Sequence, residues 1–194
     1  MGLAVEILGL VIFLGAHSFV AMRERRAALI ARIGAGPYRG LFALVSLVGL
    51  ALIVYGFGSY RAAGPIVVWN PPYWTRHIVE ALMWPASIMV VAAYIPGNIK
   101  RVLKHPMLAG VKTWAFAHLC ANGDLGGIIL FASVLAWAVY DRITLKHRSD
   151  PGAPPIPVGG AKNDIIAIIV GTIVYLALGF VFHPAVIGVP AFGP

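Results

Sequence analysis

Long apolar runs alternate along this chain with short polar, basic or Pro/Gly-rich segments. Six apolar segments cover roughly 3–22, 41–60, 78–95, 107–122, 125–140 and 165–187. The first, second and last contain about 20 residues, the length at which a helix crosses the hydrocarbon core of a bilayer. The runs are continuous, and an unpaired backbone cannot cross lipid, so the pattern predicts helices rather than a β-barrel. We expect an all-α fold, a polytopic transmembrane helix bundle of about six membrane segments, in one domain over 1–194.

The fourth and fifth apolar segments are short for two crossings. The segment from Lys112 to Asp141 contains only 30 residues, whereas two full crossings need about 40. The connecting tip "NGD" is therefore expected to stop inside the protein, with Asn122 and Asp124 buried and hydrogen-bonded. Glycines at and after the tip would permit a tight turn and a close approach of helices.

Basic residues are concentrated in three of the connecting segments. The loops 23–40, 96–112 and 141–164 hold 13 of the 15 lysines and arginines. With six spans these loops fall on one side, which the positive-inside rule makes cytoplasmic. The first of them contains the Gly-rich "IGAGPYRG", which we interpret as a turn between helices and not as a phosphate loop. The last contains the Pro/Gly-rich "RSDPGAPPIPVGGAKND", which predicts an irregular linker before the last helix, 165–187.

Composition supports a membrane location. The chain is 60% hydrophobic and 11% charged, with a mean hydropathy of +0.86, so it has too few charged side chains to cover a soluble surface. The net charge of +8 is explained by topology, because the basic residues lie between apolar runs, and no nucleic-acid partner is expected. Cys120 is the single cysteine, which excludes an intrachain disulfide.

Two histidines lie inside apolar segments at matched depth. His17 is six residues before Arg23 and His118 is six residues after Lys112, so each would lie about 9 Å from the cytoplasmic interface. Small residues flank both. Bis-histidine ligation of a haem iron fits this pattern, and a structural hydrogen-bond network is the alternative. Zinc fits less well, because it requires three or four protein ligands.

Other polar residues lie on the same segment as His118. Trp114, His118 and Asn122 share one helix face, as the wall of a cavity or as an interior stripe of the bundle. Asp124 could orient an imidazole or cap the next helix. His105, before Pro106, could bind a polar substrate group near the headgroups or be solvated.

The remaining histidines have structural interpretations. His77 and Glu80, three residues apart, predict a surface ion pair. His183, before Pro184, is interpreted as a feature of the outer end of the last helix.

The sequence resembles the NnrU family of bacterial membrane proteins, whose plant relatives are 15-cis-zeta-carotene isomerases. The resemblance is carried by "FLGAHSFVAMRERR", "ARIGAGPYRGLFALVSLVGL", "NPPYWTRH" and "IKRVLKHPMLAGVKTWAFAHLCANGD". It covers roughly residues 7 to 145 and leaves out the last helix. It implies a multi-span bundle and, from the isomerase branch, a haem b whose iron ligands fall on His17 and His118. His105 falls on the family's "HP" position.

The chain departs from the isomerases at one position. They carry a cysteine three residues before the second histidine, where this chain has Ala115. Cys120 lies about 200° around the helix from His118 and is a poor substitute. A ligand exchange involving cysteine is therefore not expected here.

Three functions follow as expectations. The first is a haem-b-binding protein of the bacterial inner membrane that serves nitrite and nitric oxide metabolism in denitrification, with a nitrogen-oxide respiratory protein as partner. The second is an enzyme, a haem-dependent cis–trans isomerase of a polyene such as a carotenoid. The third is a structural or transport bundle without a cofactor. In all three functions the protein lies in the lipid bilayer.

Overall fold

The computed structural model describes residues 1–147 and 158–192, and these ranges are helical almost throughout. The helices are α1 (Gly2–Phe19), α2 (Arg23–Ile33), α3 (Ala35–Ala62), α4 (Thr75–Tyr94), α5 (Asn98–Leu103), α6 (Pro106–Ala121), α7 (Leu125–Lys146) and α8 (Gly160–Ala177). A π-helix over Leu178–Ile187, which we call the π segment, continues α8. Extended pairing in the described ranges is limited to the isolated bridge between Val67 and Asp124. The predicted all-α fold is confirmed.

Among the described residues, five helices are long and apolar enough to cross a membrane. They are Gly2–Phe19, Ala35–Ala62, Thr75–Tyr94, Leu125–Lys146 and Gly160–Ile187, the last combining α8 with the π segment. The remaining predicted segment, α6, has 16 residues and is about 24 Å long, less than the ~30 Å of a hydrocarbon core. The fourth and fifth apolar segments were predicted to be too short for two full crossings. In the structure only α6 is short, because α7 continues past its apolar run to Lys146 and has 22 residues.

The chain forms two compact units. Unit 1 consists of Met1–Asn70 and Asn122–Arg148, and unit 2 of Pro71–Ala121 and Ser149–Pro194. Unit 1 therefore holds α1, α2, α3 and α7, and unit 2 holds α4, α5, α6, α8 and the π segment.

In unit 1, glycines bring α1 and α3 into backbone contact. A Cβ built on Gly9 would lie 2.6 Å from the Ile53 nitrogen, and one on Gly49 would lie 2.8 Å from the Phe13 nitrogen. Gly56 faces the backbone of Glu6 in the same way. Gly49 and Gly56 are seven residues apart, so they lie on one side of α3. We call Gly9, Gly49 and Gly56 the glycine seam. The glycine seam lets the two helices pack without intervening side chains, as small residues do in membrane helix pairs.

The segment 23–40, predicted as a loop, is largely helical. α2 contains most of its arginines and buries none of its residues. The turn expected over "IGAGPYRG" is reduced to Gly34, whose φ of 87° suits glycine. The helix α3 begins immediately after it, at Ala35.

In unit 2, α4 contacts both α6 and α8. Gly110 of α6 lies against the Ala86 carbonyl, and Gly171 of α8 lies against the backbone of Ile88. The Trp84 indole N–H donates to the Thr172 hydroxyl at 2.9 Å. Pro85 lies within α4, which is helical from Thr75 to Tyr94.

The start of α8 is hydrogen-bonded to α5 and to Pro96, which precedes α5. Asp164 accepts from the Asn98 side chain at 2.8 Å and from the Ile99 backbone N–H at 2.9 Å. The Asn163 side chain donates to the Pro96 carbonyl at 3.0 Å. Asn163 and Asp164 belong to the predicted linker 148–164, whose residues 148–157 lie outside the described ranges. The end of this linker is helical, because α8 begins at Gly160 and not at 165 as predicted.

Candidate functional site

His17 of α1 lies in an aromatic environment within unit 1. Its ring is centred 4.2 Å from Phe13, 5.2 Å from Phe42 of α3 and 5.6 Å from Trp137 of α7. The Nδ1 atom lies 2.7 Å from the Phe13 carbonyl oxygen, one helical turn earlier. A carbonyl can only accept, so the neutral ring carries its proton on Nδ1 and presents a lone pair at Nε2.

His118 of α6 repeats this geometry within unit 2. Its Nδ1 lies 2.9 Å from the Trp114 carbonyl oxygen, again one turn earlier. The Trp114 ring packs on the imidazole with centroids 5.1 Å apart. The predicted association of Trp114 with His118 on one helix face is therefore confirmed. Asn122, assigned to the same face, lies beyond the end of α6 at Ala121, so that part of the prediction is wrong. The proton again lies on Nδ1, and coordination of a metal by this ring would use Nε2.

The donor chemistry of both rings fits a haem iron. Metal-binding histidines usually donate their second ring N–H to a carbonyl or carboxylate, which fixes the tautomer and orients the ring. His17 and His118 both satisfy this condition through the carbonyl four residues earlier. Within 1–147 and 158–192 there is no group of three or more metal-ligating side chains. A haem iron requires only two protein ligands, because the porphyrin supplies four nitrogens.

The tip between α6 and α7 is held by hydrogen bonds within unit 1. Asp124 caps α7 by accepting from the Gly127 N–H at 2.9 Å. The Leu125 N–H donates to the Ile66 carbonyl, and the Val68 N–H donates to the Gly123 carbonyl, both at 2.8 Å. Of the two roles considered for Asp124, the structure contains the helix cap. Asn122 and Asp124 are half-buried, less enclosed than expected.

His105 lies at the start of α6, as predicted. It is half-buried, and its carbonyl accepts from the Ala109 N–H at 3.1 Å. It precedes His118 by 13 residues along the same helix, a rise of about 20 Å. His105 therefore cannot share a metal atom with His118.

Sequence reasoning missed Glu6, which is 0% exposed. Neither carboxylate oxygen of Glu6 has a hydrogen-bond partner among the described residues. The side chain lies against Gly126 in the first turn of α7, where an added Cβ would be 3.0 Å from Oε2. The nearby Tyr60 hydroxyl is engaged elsewhere, because it accepts from the Ile66 N–H at 2.8 Å. The sequence did contain a signal for this site, because Glu6 is a single acidic residue within an apolar run.

His183 lies near the end of the last helix, as predicted. It belongs to the π segment, four residues before Ile187, and is half-buried. Its ring is centred 6.2 Å from that of His118, within unit 2. His77 lies near Glu80 as predicted, with 3.6 Å between Nδ1 and Oε2.

The fold and these sites define the class of the protein. Large aliphatic side chains such as Leu47, Val54 and Ile173 are exposed on the long apolar helices, as expected for surfaces covered by lipid. The chain is thus a polytopic helical membrane protein. A family model described as NnrU protein matches residues 5–191, so the chain belongs to the NnrU family. The match includes α8 and the π segment. No curated protein and no solved structure matches the chain.

Proposed function

We propose that this protein binds haem b in the membrane, with His17 and His118 as the iron ligands. The observation that carries the proposal is the shared hydrogen bond from Nδ1 to the carbonyl four residues earlier. This bond directs Nε2 to be the coordinating atom of each ring and raises its basicity. Membership of the NnrU family and the matched depth of the two histidines in the sequence add support.

The surrounding residues give each imidazole a fixed orientation. Phe13, Phe42 and Trp137 pack around His17, and Trp114 packs on His118. Aromatic walls exclude water and restrict rotation of the rings. When bound, haem b supplies an iron that changes between ferric and ferrous states.

We further propose that the haem serves nitrite and nitric oxide metabolism, as a redox or maturation factor of denitrification in the bacterial inner membrane. This role rests on the family. An isomerase of a polyene is the second candidate and would use the same haem. It is less favoured because Ala115, which stands where the isomerases carry cysteine, has no ligating atom and is buried.

The optical and electron paramagnetic resonance spectra of the purified protein supplied with haem test the proposal. Two neutral imidazoles give low-spin iron, so a b-type cytochrome spectrum is expected. His118→Ala should convert the iron to high spin or lose the haem. His17→Ala should likewise convert the iron to high spin or lose the haem, because it removes the other proposed ligand. His77→Ala is the matched control, because His77 is exposed and paired with Glu80.

Two results would refute the haem assignment. One is well-folded protein that stays colourless with haem supplied, which would favour a bundle without a cofactor. The other is a spectrum unchanged by His118→Ala. Oxidation of the reduced haem by nitrite, followed optically, then tests the respiratory role against the isomerase.

A further inference from the structure

The carboxyl group of Glu6 is enclosed where α1 meets α3 and α7 in unit 1. The side chain is 0% exposed, and the backbone of Glu6 lies against Gly56 of α3. Gly126, in the first turn of α7, lies against both the Glu6 carboxyl group and the Tyr60 ring. Three helices of unit 1 therefore surround this carboxyl group and exclude water from it.

The polar groups around Glu6 are engaged with other partners. The Tyr60 hydroxyl donates to the Ile66 carbonyl oxygen at 3.3 Å and accepts from the Ile66 N–H at 2.8 Å. Asp124 accepts from the Gly127 N–H at 2.9 Å. Among the residues that the structure describes, no group forms a hydrogen bond with either oxygen of Glu6, so a carboxylate would be buried there without compensation.

The charges near Glu6 also disfavour its ionised form. Asp124, the cap of α7, repels a negative charge on Glu6. Tyr60 is the titratable side chain that α3 places beside the site. Arg61, the basic residue at this end of α3, holds its guanidinium 5.8 Å from the centroid of the Phe57 ring. Because burying an unpaired carboxylate costs far more than burying a neutral carboxyl group, the site favours the neutral group.

A proton is the ligand that fits this position. Both oxygens of Glu6 are inaccessible, and a metal cation would require several further ligands. Within 1–147 and 158–192 there is no group of three or more metal-ligating side chains. The segment 63–70, which Tyr60 contacts through Ile66, contains no titratable side chain. A bound proton neutralises Glu6 without requiring space or additional ligands.

We propose that Glu6 is a proton-binding site, and that unit 1 in its packed form holds this carboxyl group protonated where an exposed glutamate is ionised. This inference goes beyond the proposed haem function and does not depend on it. Loss of the proton leaves a carboxylate beside Asp124 in an apolar contact, which weakens the packing of α1 against α3 and α7. The packing of unit 1 is thereby linked to pH.

Infrared spectroscopy of the full-length protein tests whether Glu6 is protonated. At about pH 6, where an exposed glutamate is ionised, the wild type should show the carbonyl stretch of a carboxylic acid without a hydrogen bond. Glu6→Gln should remove this band. Glu24→Gln is the matched control and should keep the band, because Glu24 is exposed on α2. Isotopically labelled glutamate should shift the band, which distinguishes Glu6 from Asp124. The inference is overturned if no such band depends on Glu6.

The pH dependence of unfolding provides a second test. Unfolded Glu6 is ionised above about pH 5, so unfolding releases its proton. The unfolding equilibrium constant of the wild type should therefore rise by up to about tenfold per pH unit relative to Glu6→Gln. Stability falls as pH rises, until the folded protein loses this proton as well.

Glu6→Met provides the same comparison if Glu6→Gln does not fold. An identical pH dependence in the wild type and in these variants overturns the inference. Both measurements are made on protein without haem, so their failure is distinct from a failure of the proposed function.

Discussion

The glycine seam between α1 and α3 provides a sharp test of the packing described for unit 1. In Gly56→Ala, the new methyl group would contact the Glu6 nitrogen, with the Glu6 Cα at 2.7 Å and the Gly2 carbonyl oxygen at 2.9 Å. All three are backbone atoms, which cannot rotate away as the end of a side chain can. The helices must therefore separate, and separation weakens the contacts at Gly9 and Gly49 as well.

The expected change in the free energy of unfolding of Gly56→Ala follows from two opposing effects. Overpacking of this kind costs about 1–3 kcal/mol, and contact with backbone favours the upper end of that range. Alanine in a helix is better than glycine by about 1 kcal/mol. The net destabilisation expected for Gly56→Ala is therefore about 2 kcal/mol. Gly58→Ala is the matched control, because an added Cβ there meets nothing within 4 Å. It should be stabilised by about 1 kcal/mol.

The assay is reversible unfolding in mixed detergent micelles, followed by circular dichroism. The difference between the two variants, about 3 kcal/mol, isolates the packing cost because the propensity gain is common to both. If Gly56→Ala and Gly58→Ala unfold with equal free energies, the close approach of α1 and α3 is wrong.

Three further predictions concern other parts of the chain. Asp124→Ala should lower the free energy of unfolding by about 1–2 kcal/mol through loss of the α7 cap, whereas Asp124→Asn, which can still accept, should cost less; equal losses would contradict the cap. Glu6→Met should raise the free energy of unfolding by about 1–3 kcal/mol in the same assay, because it removes a buried polar group without a described partner; a marked loss would reveal a partner such as bound water. Cysteines placed at Arg32 and Lys100, in a Cys120→Ser background, should react with an impermeant maleimide from the cytoplasmic side only; labelling from opposite sides would refute the predicted orientation.

The elements that the sequence predicted well are those set by length and apolarity alone. The long runs around α1, α3 and α8 could only be helices, because lipid leaves the backbone no other partner. The boundaries of α7 were less accessible, because a helix can extend beyond the hydrocarbon with polar residues such as Asp141 and Arg142. The helix α2 was missed because its arginine-rich sequence lies outside the apolar runs from which helices were predicted.

The candidate site was predictable where a single residue carried the signal. His17 and His118 could be selected as imidazoles in apolar helices, and Asp124 could be recognised as a potential cap. His183 could not be paired with His118, because the π segment changes the angular register on which helix-face arguments depend. The seven-residue spacing of Gly49 and Gly56 is visible in the sequence, but their partner helix is not.

The burial of Glu6 has a consequence for biogenesis. α1 is synthesised before α3 and α7, so Glu6 reaches the membrane before Gly56 and Gly126, which enclose it, exist. A lone ionisable side chain in lipid costs energy, which disfavours release of α1 from the insertion machinery as an isolated span. Pairing with α3 along the glycines removes Glu6 from lipid, so we expect the two helices to partition together. The yield of inserted protein then depends on pairing during translation, and Gly56→Ala should reduce that yield as well as the stability of the finished fold.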